Sequence, residues 1–383
     1  MGQGAYMGID RKPAETFPPG EYLKDELEER GWSQVEFAEI IGRPVRVVNE
    51  IIAGKVQITP KTATELAAAL GTSAQFWLNL EMYFQLSRVD APPERIAREA
   101  ALRAKLPVRE MVKRGWLAPS DNFEVIEARA LRFFELSSIN DDISLNHAAR
   151  KNAKKIRSGL QWAWIFRTKQ IASAVRVGKY SEAALRAALP KLEALMTEPE
   201  EIRHVPRILA ECGVRFTIVE PVPGSEIQGV CFWINDNKSP VIGLSLNYDR
   251  IDNFWFNLRH EVEHVLRGDG KDEPMVDVNP LELEGLDESD VAAERAANSA
   301  ASEFCAPSKG VAGFIARLDP IYTDHNLVGF SKIVKRHPGI VAGQIRHHRG
   351  RFDIYKKHLV KVRHILTQTA ITDGYGKACP VEL

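Results

Sequence analysis

His260 and His264 stand four residues apart in "RHEVEHVLRG", residues 259–268, with Glu261 directly after the first histidine. On a helix, residues four apart stack on one face, so two neutral imidazoles can hold one side of a tetrahedral zinc ion (Zn2+). Glu261, turned about 100° from His260, does not reach the metal. It stands beside it, where a carboxylate can take a proton from water and deliver it to a leaving amine. That is metallopeptidase chemistry. The competing reading is a charged helix face that spells HExxH by chance, and a third ligand is needed to decide between them.

Thirty residues after His264 comes "DVAAERAANSAASEFCAP", an Ala-rich segment of helix length. Glu294 and Asn298 lie four apart on it. Glu294 would complete a His2Glu site and leave the fourth position for water, while Asn298 would hold the other ring nitrogen of a ligand histidine. The apolar residues Phe254, Trp255 and Leu258 ahead of His260 would bury the first helix and keep the site dry. Between the two helices, "GDGKDEPMVDVNPLELEGLDES" is acidic and turn-rich and reads as a loop over the site. Upstream, "VRFTIV", "GVCFWIN" and "PVIGLSL" read as three short strands. No residue announces an oxyanion stabiliser. Tyr248 and the His347–His348 pair are candidates, against solvated surface for each.

"WINDNKSPVIGLSLNYDRIDNFWFNLRHEVEHVLRG" followed by "ERAANSAASEFCAP" resembles the ImmA/IrrE family of metallopeptidases over residues 206–307. The resemblance implies a zincin-like fold, zinc held by His260, His264 and Glu294, Glu261 as general base, and proteolysis of repressor proteins. Glu263 stands where that family commonly has glycine.

Ahead of this region, residues 19–88 read as five short helices. Ser33 and Glu36 have capping-box spacing at the second. Gly42 closes that helix, and Pro44 opens the third. A turn this tight between second and third helices is the helix-turn-helix arrangement, whose later helix enters the DNA major groove. Val45, Arg46 and Asn49 would then face base edges, and Gln34 a phosphate. Arg43 and Lys55, at the two ends of the third helix, are further DNA-contact candidates. The plainer alternative is a helical bundle that binds only protein. From Glu21 to Asp90 there are seven Lys/Arg against eleven Asp/Glu, a net of minus four, so non-specific attraction to phosphate is weak here. "PPGEYLKDELEERGWSQVEFAEIIGRP" with "VNEIIAGKVQITPKTATELAAALGTSAQFWLNLE" resembles the HigA-type antitoxin branch of the Cro-like (XRE) helix-turn-helix family. That implies a homodimer repressing its own operon through double-stranded operator DNA, with a cognate toxin as partner.

These elements sit in a chain of 383 residues, enough for two or three domains. The expected division is a helix-turn-helix domain at 17–88, a helical connecting region at 89–204, a metallopeptidase domain at 205–310 and a basic extension at 311–383. The expected class is α+β, mostly helical. Lys plus Arg and Asp plus Glu are equal at 51 each, but from Ser144 to Tyr180 there are nine basic residues and no acid. Trp162, Trp164 and Phe166 in that stretch read as core in preference to a nucleic-acid stacking surface. Four scattered cysteines and no signal-like or bilayer-length apolar segment point to a reducing cytoplasm and no membrane. The function expected is a DNA-binding regulator with a zinc peptidase acting on a repressor or toxin. The alternative is a repressor whose metal domain senses or binds without cutting.

Overall fold

The computed structural model describes residues 17–90, 93–145, 158–277, 288–318 and 321–380. The chain divides into two compact units, Met1–Glu94 and Arg95–Leu383. Among the described residues no helix is long and apolar enough to cross a membrane.

The first unit is all-helical: α1 (Pro19–Arg30), α2 (Gln34–Ile40), α3 (Val45–Ile52), α4 (Pro60–Leu70) and α5 (Ala74–Arg88). Its boundaries follow from local chemistry. Ser33 and Glu36 form the reciprocal capping box at α2, and the Thr59 and Ser73 side chains cap α4 and α5. Gly42, at φ 65°, makes the left-handed turn between α2 and α3 that a Cβ would strain. Leu23, Leu27, Phe37, Val48, Ile51, Leu66 and Trp77 form the core that fixes α3 against α1 and α2.

The second unit is built on one five-stranded mixed sheet. Its strands are β1 (Arg215–Val219), β2 (Gly229–Ile234), β3 (Ser239–Leu244), β4 (Met275–Asp277) and β5 (Ile371–Asp373), in spatial order β4-β2-β3-β1-β5. β1 runs parallel to β3 and β5, and β2 runs antiparallel to β3 and β4. The helices that precede the sheet are α6 (Glu94–Lys105), α7 (Val108–Lys113), α8 (Phe123–Phe133), α9 (Gly159–Ala174), α10 (Glu182–Ala194) and α11 (Val205–Glu211). After β3 come α12 (Ile251–Arg267), α13 (Glu288–Cys305), α14 (Ser308–Leu318), α15 (Asp324–Val334), α16 (Pro338–Arg349) and α17 (Arg363–Thr369).

Alternation along β2 sends its side chains to two cores. Cys231 and Trp233 join Phe254, Trp255, Leu258 and Val262 of α12, whereas Val230 and Phe232 join Trp164 and Phe166 of α9 and the helices before it. A sheet covered on both faces needs near-continuous apolar strands, which is what the three upstream strands show. The aromatic residues of the basic stretch are therefore core: Trp164 and Phe166 are fully buried, and Trp162 packs against them. The basic residues from 150 to 157 lie outside the described residues.

The three segments expected after residue 88 share this one unit. α9 and the tail strand β5 are joined by the Arg167–Asp373 ion pair, with both Nε–Oδ2 and Nη2–Oδ1 at 3.0 Å and the Trp116 indole donating to Oδ2 at 2.7 Å. The tail thus supplies a sheet strand where a separate basic extension was expected. Of the segment read as a loop between the zinc-type helices, Met275–Asp277 is strand β4, and residues 278–287 lie outside the described residues.

Candidate functional site

α12 carries His260 and His264 on the face turned to α13. α13 comes close because its contact stripe is small: Ala293, Ala297 and Ala301 are all buried. One consequence is the placement of Glu294. Its carboxylate lies 3.3 Å from His260 Nε2 and 3.9 Å from His264 Nε2, and the two Nε2 atoms are 3.0 Å apart. Tetrahedral zinc with bonds of about 2.0–2.1 Å sets its ligand atoms about 3.3–3.4 Å apart, so the three donors match a metal-sized triangle. Both imidazoles and the Glu294 carboxylate are buried.

The outer ring nitrogens fix what the inner ones present. His260 Nδ1 lies 3.1 Å from Asn298 Oδ1, and His264 Nδ1 lies 3.0 Å from Asp269 Oδ2. With acceptors on Nδ1, each neutral ring carries its proton there and turns an Nε2 lone pair inward. Two lone pairs 3.0 Å apart, with a carboxylate facing them, are stabilised by a proton or a metal ion between them. In protonation terms, burial lowers the His260 pKa, but the Glu294 hydrogen bond and the charges of Asp277, Glu261 and Glu294 outweigh it and raise the value to about 9. The donor set fits zinc.

Glu261 is fully buried, and neither carboxylate oxygen has a hydrogen-bond partner. It lies over β2 at Gly229, where a Cβ would approach Glu261 Oε1 to 2.4 Å, so only glycine leaves the carboxylate its place. Burial pushes the Glu261 carboxyl well above the carboxylate range. His260 opposes that shift, and Asp277 and Glu294 add to it. Glu263 faces elsewhere, held by Arg259 Nη2 at 2.8 Å. Tyr248 is half exposed beneath the Arg250 guanidinium, and His347 and His348 are exposed.

In the first unit, α3 presents Arg46 and Asn49 to solvent, with Lys55 exposed just beyond its end. Arg46 Nε pairs with Glu50 Oε1 at 2.8 Å. Gln34 is half-buried at the first position of α2. Arg43 is engaged from within, forked onto Glu65 at 2.9 and 3.1 Å. Val45 departs from the outward placement expected of it. It is half-buried against the core, because a residue three before buried Val48 shares its helix face.

The helix-turn-helix family profile matches residues 23–77. Over 72 residues the chain is 31% identical to the uncharacterised HTH-type transcriptional regulator YddM of Escherichia coli K12, which spans 19% of this chain and 77% of that protein. The chain belongs to the helix-turn-helix regulator family. Among solved structures, this regulator is 34% identical to Pseudomonas aeruginosa antitoxin HigA, recorded with the higBA promoter, covering 19% of this chain and 80% of that one at a TM-score of 0.19. It is 31% identical to Pseudomonas aeruginosa PA4674, recorded with operator DNA, covering 23% and 96% at a TM-score of 0.21. All these matches fall on a small part of the regulator's length.

Three residues of the candidate site escaped the sequence reading of this regulator. Asp269 had a signal: it follows Gly268, the left-handed cap that ends α12 one turn past His264. Gly229 and Asp277 had none, since each reaches the site only through strand register. They lie opposite one another across β2 and β4. One carboxylate oxygen of Asp277 is within 4.8 Å of ligand atoms of both His260 and Glu261.

Proposed function

We propose that this helix-turn-helix regulator binds double-stranded operator DNA through its first unit, and that its second unit is a zincin-like, ImmA/IrrE-type zinc peptidase. Its substrate is a protein partner, a repressor or a cognate toxin. Family membership and the solvent-facing Arg46, Asn49 and Lys55 support the DNA half. Arg and Asn are side chains suited to guanine and adenine edges. A homodimer on a two-fold operator is the arrangement such regulators favour.

The observation that carries the peptidase half is the meeting of His260, His264 and Glu294 beside an unpartnered, buried Glu261. Zinc bound there supplies Lewis acidity toward a peptide carbonyl and its attacking water. The chain's own residues do the rest. Asn298 and Asp269 hold the imidazoles in the ligating tautomer. Glu261, with both oxygens free to accept, takes the proton of the attacking water and returns it to the leaving amine. A raised carboxyl pKa brings that base closer to neutral pH, where proton transfer in both directions is efficient.

Freshly purified protein should carry about one zinc per chain, and Glu261→Gln should keep the metal while losing at least about a hundredfold in cleavage of the partner. The product of a neighbouring gene is the first partner to assay. A variant that cuts as well as the parent refutes the assigned base. One observation favours a second reading, in which the centre senses metal or grips a toxin without cutting: Asp277 adds another carboxylate to the site. Under that reading His260→Ala changes partner or DNA binding, and no peptide bond is cut by either protein.

A further inference from the structure

The two paired histidines lean on supports of very different stiffness. Asn298, beside His260, stands on α13, a regular helix packed along α12. Asp269, beside His264, stands between Gly268 and Gly270, both in the left-handed region at φ 76° and 80°. A residue with glycine on either side has unusual backbone freedom. A carboxylate placed there needs a hold from outside the loop if it is to keep its bearing on His264.

β2 supplies that hold. Alternate residues of the strand face α12: Gly229 leaves the room that Glu261 fills, and Cys231 and Trp233 follow on the same face. The Trp233 indole Nε1 donates to the Asp269 carbonyl at 2.7 Å, and the side chain is buried. The Cys231 thiol reaches the same carbonyl only at 3.9 Å. Gly270 is pressed onto the strand beside them, since a Cβ there would come within 2.6 Å of the Cys231 carbonyl oxygen. Asp269 is thus pinned at two backbone points, its amide donating to the His264 carbonyl at 2.9 Å and its carbonyl accepting from Trp233. Its Oδ2 lies 3.0 Å from His264 Nδ1 and accepts from Arg267 Nε at 3.0 Å. The amide bond and Arg267 both belong to the end of α12. Trp233 is the tie that comes from the sheet.

We propose that Trp233 is a positioning residue for the His260–His264–Glu294 centre. Through the Asp269 carbonyl it fixes the Asp269 carboxylate against His264 Nδ1, and so keeps the His264 Nε2 lone pair aimed at the metal position. This rests on the metal-centre reading above and adds to it the element that preorganises one ligand. Apparent affinity falls with the fraction of molecules whose ligand set is competent. One net hydrogen bond between loop and sheet shifts that fraction by about fivefold. Linkage makes the effect reciprocal: zinc binding strengthens the Trp233 bond by the same factor.

The test measures zinc affinity of the full-length chain by chelator competition, in a double-mutant cycle of Trp233→Phe and Asp269→Ala. Phenylalanine keeps a ring for Tyr180 and Lys271, which pack on Trp233 at 5.2 and 4.8 Å, and removes the indole donor. Trp233→Phe should bind zinc about fivefold more weakly than the parent, and should add no loss once Asp269 is alanine. No loss in the parent background overturns the proposal, and so does a loss that persists undiminished with Asp269→Ala, which marks a merely structural role. Should Trp233→Phe not fold, the parent decides. Exchange of its Trp233 indole proton, followed by NMR, should slow about fivefold on saturation with zinc, and an unchanged rate overturns the proposal. If the parent takes up no zinc, the metal-centre reading fails and this inference with it. Normal uptake by the parent without the coupling removes Trp233 alone.

Discussion

Each histidine of the proposed metal centre is asked to do two things at once: accept nothing on its outer nitrogen and offer a lone pair on its inner one. Asn298 and Asp269 impose this division. Without metal, a proton occupies the same place, since His260 is raised to about 9. On the proposed reading, zinc displaces that proton at neutral pH. Between pH 6 and 8 the apparent zinc affinity should rise about tenfold per pH unit from His260 alone and level off above its pKa. Chelator-competition titrations at several pH values measure this, and a flat profile would show that the proton is not there. At this scale His260, Glu261, His264, Glu294 and Asn298 were all legible in the sequence, because helical spacing of three and four converts directly into a shared face. Asp277 was not, because a three-residue strand carries too little alternation to reveal its register. The exposure of the candidate DNA contacts was partly legible. Arg46 and Asn49 are solvent-exposed as their helix positions dictate, while Val45 was claimed by packing.

Among elements, the join between α9 and β5 is the one whose strength can be weighed. Arg167 and Asp373 are both almost wholly buried, and their paired geometry satisfies two nitrogens and both carboxylate oxygens. Removing one partner of such a pair strands the other charge in the core. Asp373→Ala should cost about 3–5 kcal/mol of second-unit stability, read from urea unfolding. The pH response has a definite sign. Burial raises the Asp373 pKa, but the hydrogen bonds from Arg167, the Cys379 amide and Trp116 and the Arg167 charge bring it below the aspartate range. A carboxyl depressed in the folded state contributes stability that is full above its unfolded value of about 3.9 and is lost as pH falls through the folded one. The urea midpoint of the parent should therefore drop below about pH 4 more steeply than that of Asp373→Asn. None of this was legible beforehand: "QTAITDGYG" has no run long enough to announce a strand, and its partner lies in a helix 206 residues away in the chain, from Arg167 to Asp373. The five helices of the first unit were legible almost to the residue, since Ser33, Thr59 and Ser73 cap α2, α4 and α5 and Gly31 and Gly71 close α1 and α4.

For the whole molecule, two compact units with different chemistries share one chain. The first has a net charge of minus four over residues 21–90, so its DNA affinity must come from specific contacts more than from general attraction. Arg46→Ala should weaken binding to the protein's own promoter by about 1–3 kcal/mol in gel shifts, relaxing specificity at the base pair it reads. Because Arg46 is held by Glu50 in the free protein, Glu50→Gln should tighten the same complex. Loss of binding in that variant would show that the pair positions Arg46 for the groove.

The seat of β5 beside β1 also has a consequence for how the protein is made. β1 ends at Val219, and its neighbour does not begin until Ile371, so roughly 150 residues are translated between them. Until those residues clear the ribosome, one margin of the sheet and the Arg167 guanidinium are both uncovered, open to chaperones and to unwanted strand pairing. Completion of the second unit therefore waits for β5, while the helical first unit, translated earlier, can fold before that strand is made.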